Sequence, residues 1–271
     1  MNLISNAVQT IEAAKQTIGA TVEATVEAAE TNEFLAAVGG FFQGIGDAFY
    51  ENFIYKDRWL YLVRGLGNTL LITFLALLMG LLLGFLVAVI RSTHDKTGRF
   101  KVGNVICKIY LTVIRGTPVV VQLLIIYFVI FGSVDIDKTL VAVLAFGLNS
   151  GAYVAEIVRS GIMSIDNGQF EAGSSLGLSY SQTMVSIILP QAFKNVLPAL
   201  ANEFIVLLKE TSVAGYIAIE DLTKGGDIIR SQTYEALLPL VAVALIYLAI
   251  VMLLTHLVGK LERRLAKNDK R

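Results

Sequence analysis

The chain has 271 residues, of which 55% are hydrophobic and 16% charged, and its 22 Lys and Arg are balanced by 22 Asp and Glu. A soluble domain carries about one quarter charged residues; here the apolar excess is gathered into runs long enough to cross a hydrocarbon layer of about 30 Å, which takes about 20 helical residues. Composition therefore excludes a soluble globular protein, and the single cysteine, Cys107, excludes an internal disulfide framework and a cysteine metal cluster.

Taken in order, residues 1–33 do not read as a cleavable signal, because Met1-Asn2-Leu3 lacks a basic start and no continuous apolar core follows. Ile4, Val8, Ile11, Ile18 and Val22 recur at helical spacing with Glu12, Lys15, Glu23 and Glu27 off that face. That is the pattern of an amphipathic helix on a membrane or protein surface; a weakly structured extension fits the same residues. Residues 34–54, with Gly39, Gly40, Gly44 and Gly46 among aromatics, read as an interfacial segment, since glycine weakens a continuous helix. Tyr55, Lys56, Asp57, Arg58, Trp59 and Tyr61 suit a headgroup region. Residues 1–55 are thus expected to form an extracytoplasmic or interfacial extension, and 60–265 a transmembrane domain.

Five spans follow, at about 66–90, 109–131, 139–160, 190–208 and 236–258. The first is free of charge and holds Gly80-x3-Gly84, a spacing that lets helices approach closely. The second is broken near its start by Arg115-Gly116-Thr117-Pro118, where the proline marks a helix start or a kink. The connector 91–108 carries five Lys/Arg and the tail 260–271 six, against one in 132–138 and three in 209–235. The positive-inside rule then puts 91–108, 161–189 and the C-terminus in the cytoplasm and the N-terminus outside. The expected fold is an all-α integral membrane protein of about five transmembrane helices, with a short cytoplasmic helix between the third and fourth spans.

That connector holds the densest motif. It reads Glu171-Ala172-Gly173, three residues, Gly177, nine residues, then Ile187-x-Leu189-Pro190. Asp166 or Asn167 can cap a helix beginning near Gly168. Gly177 can end it or allow a close backbone approach, and Pro190 suits the start of the fourth span. Glu171 falls on the exposed side. The pattern resembles the "EAA" loop of permease subunits of bacterial ATP-binding-cassette (ABC) importers, E-A-A-x3-G-x9-I-x-L-P, and departs from it only at Gly173, where glycine lowers helix propensity. Further matches are Gly67-Asn68-Thr69, Arg115-Gly116-Thr117-Pro118, Ala152-Tyr153-x-Ala155-Glu156-x2-Arg159, Gly168-Gln169, Asn202-Glu203-Phe204-Ile205 and Leu208-Lys209-Glu210-Thr211-Ser212. Residues from about 60 to 265 are together similar to the permeases of polar amino-acid importers, the group handling histidine, arginine, lysine, glutamine, glutamate or cystine.

The resemblance implies that the connector docks on a separate ATPase subunit, with Glu171, Ala172, Gly173, Gly177, Ile187, Leu189 and Pro190 as coupling residues. It also implies a second permease chain, an extracytoplasmic amino-acid-binding protein, and alternating access in the bacterial cytoplasmic membrane. ATP and Mg would stay on the ATPase, and no cofactor is expected on this chain. An ATPase-coupled sensor or regulator is the alternative. So is an ion-driven carrier, although that would need no docking connector and would usually show inverted repeats.

No G-x4-G-K-[S/T], H-E-x-x-H or G-x-S-x-G is present, so the chain itself is not expected to be an enzyme. On the fourth span Asn195, Ala199, Asn202, Glu203, Val206, Lys209 and Glu210 fall within about 120° of arc. A carboxylate such as Glu203 inside a membrane must face protein or water. It is a candidate for the ammonium of a substrate, with a structural pair to Lys209 or another cation as the alternative. On the third span Asn149, Tyr153, Glu156 and Ser160 share a stripe, and Arg159 can pair with Glu156 or snorkel. The substrate pathway is expected at Glu203, Asn202, Asn149, Gln122 and Tyr153, and structural ion pairs at Arg115, Glu156 and Arg159. His94 and His256 read as surface residues; no metal site and no nucleic-acid partner are expected.

Overall fold

A computed structural model of the chain describes residues 43–268 continuously, with 19, 21, 36 and 39–41 before them, and side chains as far as Leu265. The amphipathic face read from Ile4, Val8, Ile11, Ile18 and Val22 lies outside the described residues. The chain divides into two compact units between Lys56 and Asp57. In the first, residues 43–49 are helical despite Gly44 and Gly46, and run into a π turn, Tyr50–Ile54. Asn52 Nδ2 donates to the Ala48 carbonyl at 2.8 Å, and the Phe49 and Phe53 rings are 5.1 Å apart.

The second unit is helical throughout, with no strand among the described residues. The first helix, α1 (Trp59–Thr97), has 39 residues, about 58 Å at 1.5 Å per residue. It outruns the uncharged stretch 66–90 at both ends, because hydropathy marks where the lipid stops and not where the helix does. The expected basic connector 91–108 is accordingly corrected to a turn, 98–100. Gly98, at φ +69°, ends α1 with its N–H on the His94 carbonyl at 2.8 Å, a left-handed cap. The next helix, α2 (Lys101–Gly116), is followed by α3 (Val119–Leu124) and a π turn, Ile125–Ile130, and the pair is bent by 109°. Thr117 is extended (φ −125°, ψ 146°), as a residue before proline prefers, and Pro118 opens α3.

Asp137 caps α4 (Lys138–Met163) by accepting from the Leu140 amide at 3.1 Å. The small residues of α1 pack against α4. A Cβ on Gly80 would lie 3.0 Å from Ser150 Cβ, one on Gly84 2.5 Å from Val154 Cγ1, and one on Gly147 2.8 Å from Met79 Sδ. The Gly80-x3-Gly84 spacing therefore serves packing within the chain. These contacts advance in the same direction along both helices, so α1 and α4 are parallel and the bent α2–α3 pair must cross back between them.

Beyond α5 (Asn167–Ser175) and α6 (Tyr180–Thr183), a π turn, Met184–Ile188, leads into α7 (Leu189–Glu210). Gly161 faces Val196, and Ser150 meets Glu203, so α7 is antiparallel to α4. The 98–100 turn and the α5 connector thus lie at one end of the bundle, and 131–137 and 211–235 at the other. Ile72, Leu123, Phe146 and Leu207, each at 0% exposure, form the core where α1, α3, α4 and α7 meet.

The stretch 209–235, expected as a polar connector, is mostly helical. It holds a 3-10 turn, Thr211–Ile217, and α8 (Leu222–Thr233), before α9 (Leu237–Asn268). Asp221 caps α8, its Oδ1 accepting from the Lys224 amide at 2.7 Å. Asn68 Nδ2 donates to the Glu220 carbonyl at 2.8 Å, and the Leu222 amide to Thr69 Oγ1 at 3.0 Å. A Cβ on Gly65 would lie 2.5 Å from the Asp221 carbonyl oxygen, and one on Gly225 2.5 Å from that of Tyr61. Backbone meets backbone here, and only glycine permits it.

Candidate functional site

The α5 connector is built from local signals. Asp166 Oδ1 accepts from the Gly168 amide at 2.6 Å and starts α5. Lys96 Nζ, from the last turn of α1, donates to Asn167 Oδ1 at 2.6 Å and lies 4.8 Å from the centre of the Phe170 ring. At Gly177 φ is +77°, and a Cβ would meet open space. Backbone conformation, not close approach, selects glycine there. Ser179 and Gln182 then form a reciprocal capping box that starts α6. The fourth apolar helix therefore begins at Tyr180, not at Pro190. Pro190 sits in the first turn of α7, after the wider π turn in which the Leu189 amide reaches the Met184 carbonyl.

Glu171, Ala172, Gly177 and Pro190 are exposed, Ile187 and Leu189 half-buried, and Gly173 buried. A Cβ on Gly173 would lie 2.6 Å from both Cγ2 and Oγ1 of Thr183. The departure from alanine at 173 is thus a packing requirement, which sequence reasoning missed because the partner is on the next helix. Leu176, next to this surface, is 77% exposed.

The second candidate region is a cavity of about 590 Å3 between α4 and α7, whose walls include Glu203, Asn195, Tyr153, Glu156, Ser160 and Arg115. Glu203 is 7% exposed, and its Oε1 accepts from Ser150 Oγ at 2.8 Å. Among the described residues no cation pairs with it; Lys209 is exposed and lines a different cavity. Ser150, held against α1 by Gly80, was not singled out from the sequence. Its signal was available, as a polar residue beside Asn149 in an otherwise apolar helix.

Glu156 faces three guanidinium groups, Arg159 at 3.0 Å and Arg91 and Arg115 at 3.6 Å each. Arg91 joins from α1, where it had been read as part of a basic connector. The Arg115 guanidinium lies 5.6 Å from the centre of the Tyr153 ring.

Asn149 and Gln122 stand apart from the cavity wall. Gln122 Nε2 donates to the Ile114 carbonyl at 2.7 Å, the Thr117 carbonyl at 3.0 Å and Thr117 Oγ1 at 2.9 Å, and its Oε1 accepts from Asn149 Nδ2 at 3.3 Å. Gln122 satisfies carbonyls freed by the break before Pro118, which at membrane depth have no water to turn to. Asn202 is exposed, one position before Glu203. Among the described residues no group of three His, Cys, Asp or Glu is placed to hold a metal.

Residues 80–267 match the family described as binding-protein-dependent transport system inner membrane component. The chain is 39% identical over 211 residues to the arginine transport system permease protein ArtQ of Bacillus subtilis, covering 77% of this chain and 94% of that one. It is 35% identical over 213 residues to a putative glutamine transport system permease protein, GlnP, of Rickettsia bellii, covering 78% and 95%. A crystal structure of an amino acid ABC transporter with histidines matches with a TM-score of 0.70 at 40% identity, over 78% of this chain and 98% of that one.

Proposed function

This chain belongs to the inner membrane components of binding-protein-dependent transport systems, as an amino-acid ABC transport permease, and on that premise we propose that it carries a polar amino acid inward across the bacterial cytoplasmic membrane. Transport runs by alternating access, driven by a separate ATPase and fed by an extracytoplasmic binding protein.

The observation that carries this reading is the cavity at Glu203. A carboxylate buried beside one serine hydroxyl, with no cation paired to it among the described residues, is suited to an ammonium arriving from outside. Arg115 in the same walls offers a fork for a carboxylate. One cavity thus presents complements to both charges of a zwitterion.

The exposed stripe Asn195, Asn202 and Lys209 on α7 supports a second permease chain, because polar groups at membrane depth need protein or water against them. The exposed Glu171, Ala172 and Leu176 support docking of the ATPase on α5. The connector joins α4 directly to the helix run that carries Glu203, so tilting α5 shifts both walls of the cavity, the kind of lever that biases a two-state transition. On this reading α5 is cytoplasmic, and Mg-ATP is bound by the ATPase alone.

ATP-driven uptake in proteoliposomes tests the proposal, with the candidate ATPase and binding protein and a panel of labelled amino acids. Uptake of at least one polar amino acid is expected, reduced about tenfold or more by Glu203→Gln, the loss of one charge-assisted contact. Stimulated ATP hydrolysis without uptake of any amino acid overturns it in favour of a sensor.

A further inference from the structure

The Glu203 cavity has a neighbour. A second cavity, of about 490 Å3, opens where α1, α2 and α4 meet, lined by Arg91, Lys108, Thr112, Arg115 and Glu156. Arg115 and Glu156 belong to the walls of both, so their 3.6 Å ion pair is a partition between the two chambers. Arg91 lies towards the end of α1 that turns at 98–100, which places the second chamber nearer the α5 end of the bundle than Glu203 is.

Its charges do not balance. Glu156 is the one carboxylate among its lining residues, and it is already shared by Arg91, Arg115 and Arg159. Asp95 holds Arg159 from another side at 3.8 Å. With Lys108, four cations stand against two carboxylates, a surplus of two positive charges. Arg91 Nε is buried and has no hydrogen-bond partner among the described residues. Arg91 is only partly exposed, and a cation so placed is costly unless an anion or water meets it; Arg115 and Lys108 are exposed at the mouth of the same chamber. Two guanidinium forks, an ammonium and the Thr112 hydroxyl, from α1 and α2 around one chamber, are the donor set of an oxyanion site.

We propose that this chamber is a second binding site, selective for an oxyanion, and that the group it takes is the α-carboxylate of the amino acid in transit beyond Glu203. The proposal rests on the amino-acid reading of the Glu203 cavity. An arriving carboxylate replaces Glu156 on Arg115, so the partition opens by exchanging one carboxylate for another and Arg115 is never left bare. The phosphate of an anionic lipid is the other source of the same chemistry, since Val105, Ile109 and Val113 leave an exposed apolar flank on α2.

The test uses the permease–ATPase complex in nanodiscs of phosphatidylcholine, with and without phosphatidylglycerol. Binding of amino acids and of the matching amino-acid amides, which lack only the carboxylate charge, is measured by calorimetry in wild type and in Arg91→Gln/Lys108→Gln. The double variant is expected to bind the amino acid about tenfold more weakly and the amide unchanged. Lys108→Gln alone, on an exposed side chain, carries the same comparison if the double variant does not assemble. Equal losses for acid and amide, or no loss of any ligand, overturn the site. Lost retention of phosphatidylglycerol with unchanged amino-acid affinity keeps the oxyanion site and overturns the carboxylate as its occupant. If wild type binds no amino acid, the amino-acid reading has failed, and phosphatidylglycerol retention alone then decides whether the site exists.

Discussion

The two connectors at opposite ends of the bundle are built for opposite purposes. At one end α8 buries Leu222, Gly225, Gly226 and Ile229 and is tied to α1 by Asn68, Thr69 and two glycine-permitted backbone contacts. At the other end α5 buries only Gly173 and leaves Glu171, Ala172 and Leu176 in the open. The first is a clamp that fixes α1, α8 and the end of α7 as one body. The second is a lever whose free surface has no partner among the described residues. Cooperative stability should therefore concentrate at the α8 end, and responsiveness at the α5 end.

The largest effect is expected from breaking the clamp. Gly225→Val would drive a side chain into the Tyr61 carbonyl, 2.5 Å from the position of its Cβ. Backbone on both sides cannot give way, so the cost is roughly 3 kcal/mol or more. Loss of the folded protein in detergent, read by size-exclusion chromatography and proteolysis, is the expected outcome; a well-behaved variant would mean that the ends are not so different.

Next comes the lever. Glu171→Lys, on an exposed side chain, and Gly177→Asp, which places a side chain at φ +77°, should abolish uptake while leaving membrane insertion and folding in place. Normal uptake in both variants would remove α5 from the coupling path.

Gly173→Ala sharpens the contrast, because it restores the second alanine of the family pattern and yet should harm this chain. Alanine gains about 1 kcal/mol of helix propensity over glycine. Against that, its Cβ would sit 2.6 Å from Thr183 Cγ2 and Oγ1, an overpacking cost of about 1–3 kcal/mol. The clash is expected to win modestly, lowering the melting midpoint. Thr183→Ala removes both clashing atoms and a buried hydroxyl that has no hydrogen-bond partner among the described residues, so the double variant should recover wild-type stability. No recovery would place the cost elsewhere.

How much of this was legible depends on whether a signal was local. The apolar runs marked the helices that cross, and charge counts along the chain marked which connectors share an end. Asp166 capping α5 and Gly177 ending it followed from neighbouring residues. The clamp was not legible: 209–235 looked like a polar connector because the groups that satisfy it, Asn68, Thr69 and Gly65, lie some 150 residues away. In the candidate site, Glu203, Tyr153 and Glu156 were picked from helical periodicity and do share a cavity. Asn149 came from the same stripe as Tyr153 and Glu156, and Gln122 from its polarity, but both are held instead at the break before Pro118. Arg91 was missed because a helix that outruns the bilayer carries its charges along with it.

The smallest expected effect reads the clamp through pH. Asp221 is fully buried, and burial pushes its carboxyl from the ordinary 3.8 up to about 6, opposed by the hydrogen bond from the Lys224 amide. A raised acid favours the protonated folded state, so this contribution to stability is fully present below about 3.8 and is lost as pH rises through about 6. Asp227, on the same helix, is shifted the opposite way by its hydrogen bonds with Lys224 and Arg230. Its contribution is lost only as pH falls below the ordinary carboxylate range, so the two windows do not overlap. Lowering pH from 7 to 5 should therefore stabilise the α8 end, by about 1 kcal/mol. The only tryptophan, Trp59, opens α1 beside this contact, and its fluorescence is a local reporter of unfolding there. Asp221→Asn keeps an oxygen to cap α8 but cannot titrate, so its unfolding midpoint should be flat between pH 5 and 7. A wild-type midpoint that is equally flat would show that the clamp holds Asp221 in one protonation state throughout, and that the α8 end is closed by packing alone.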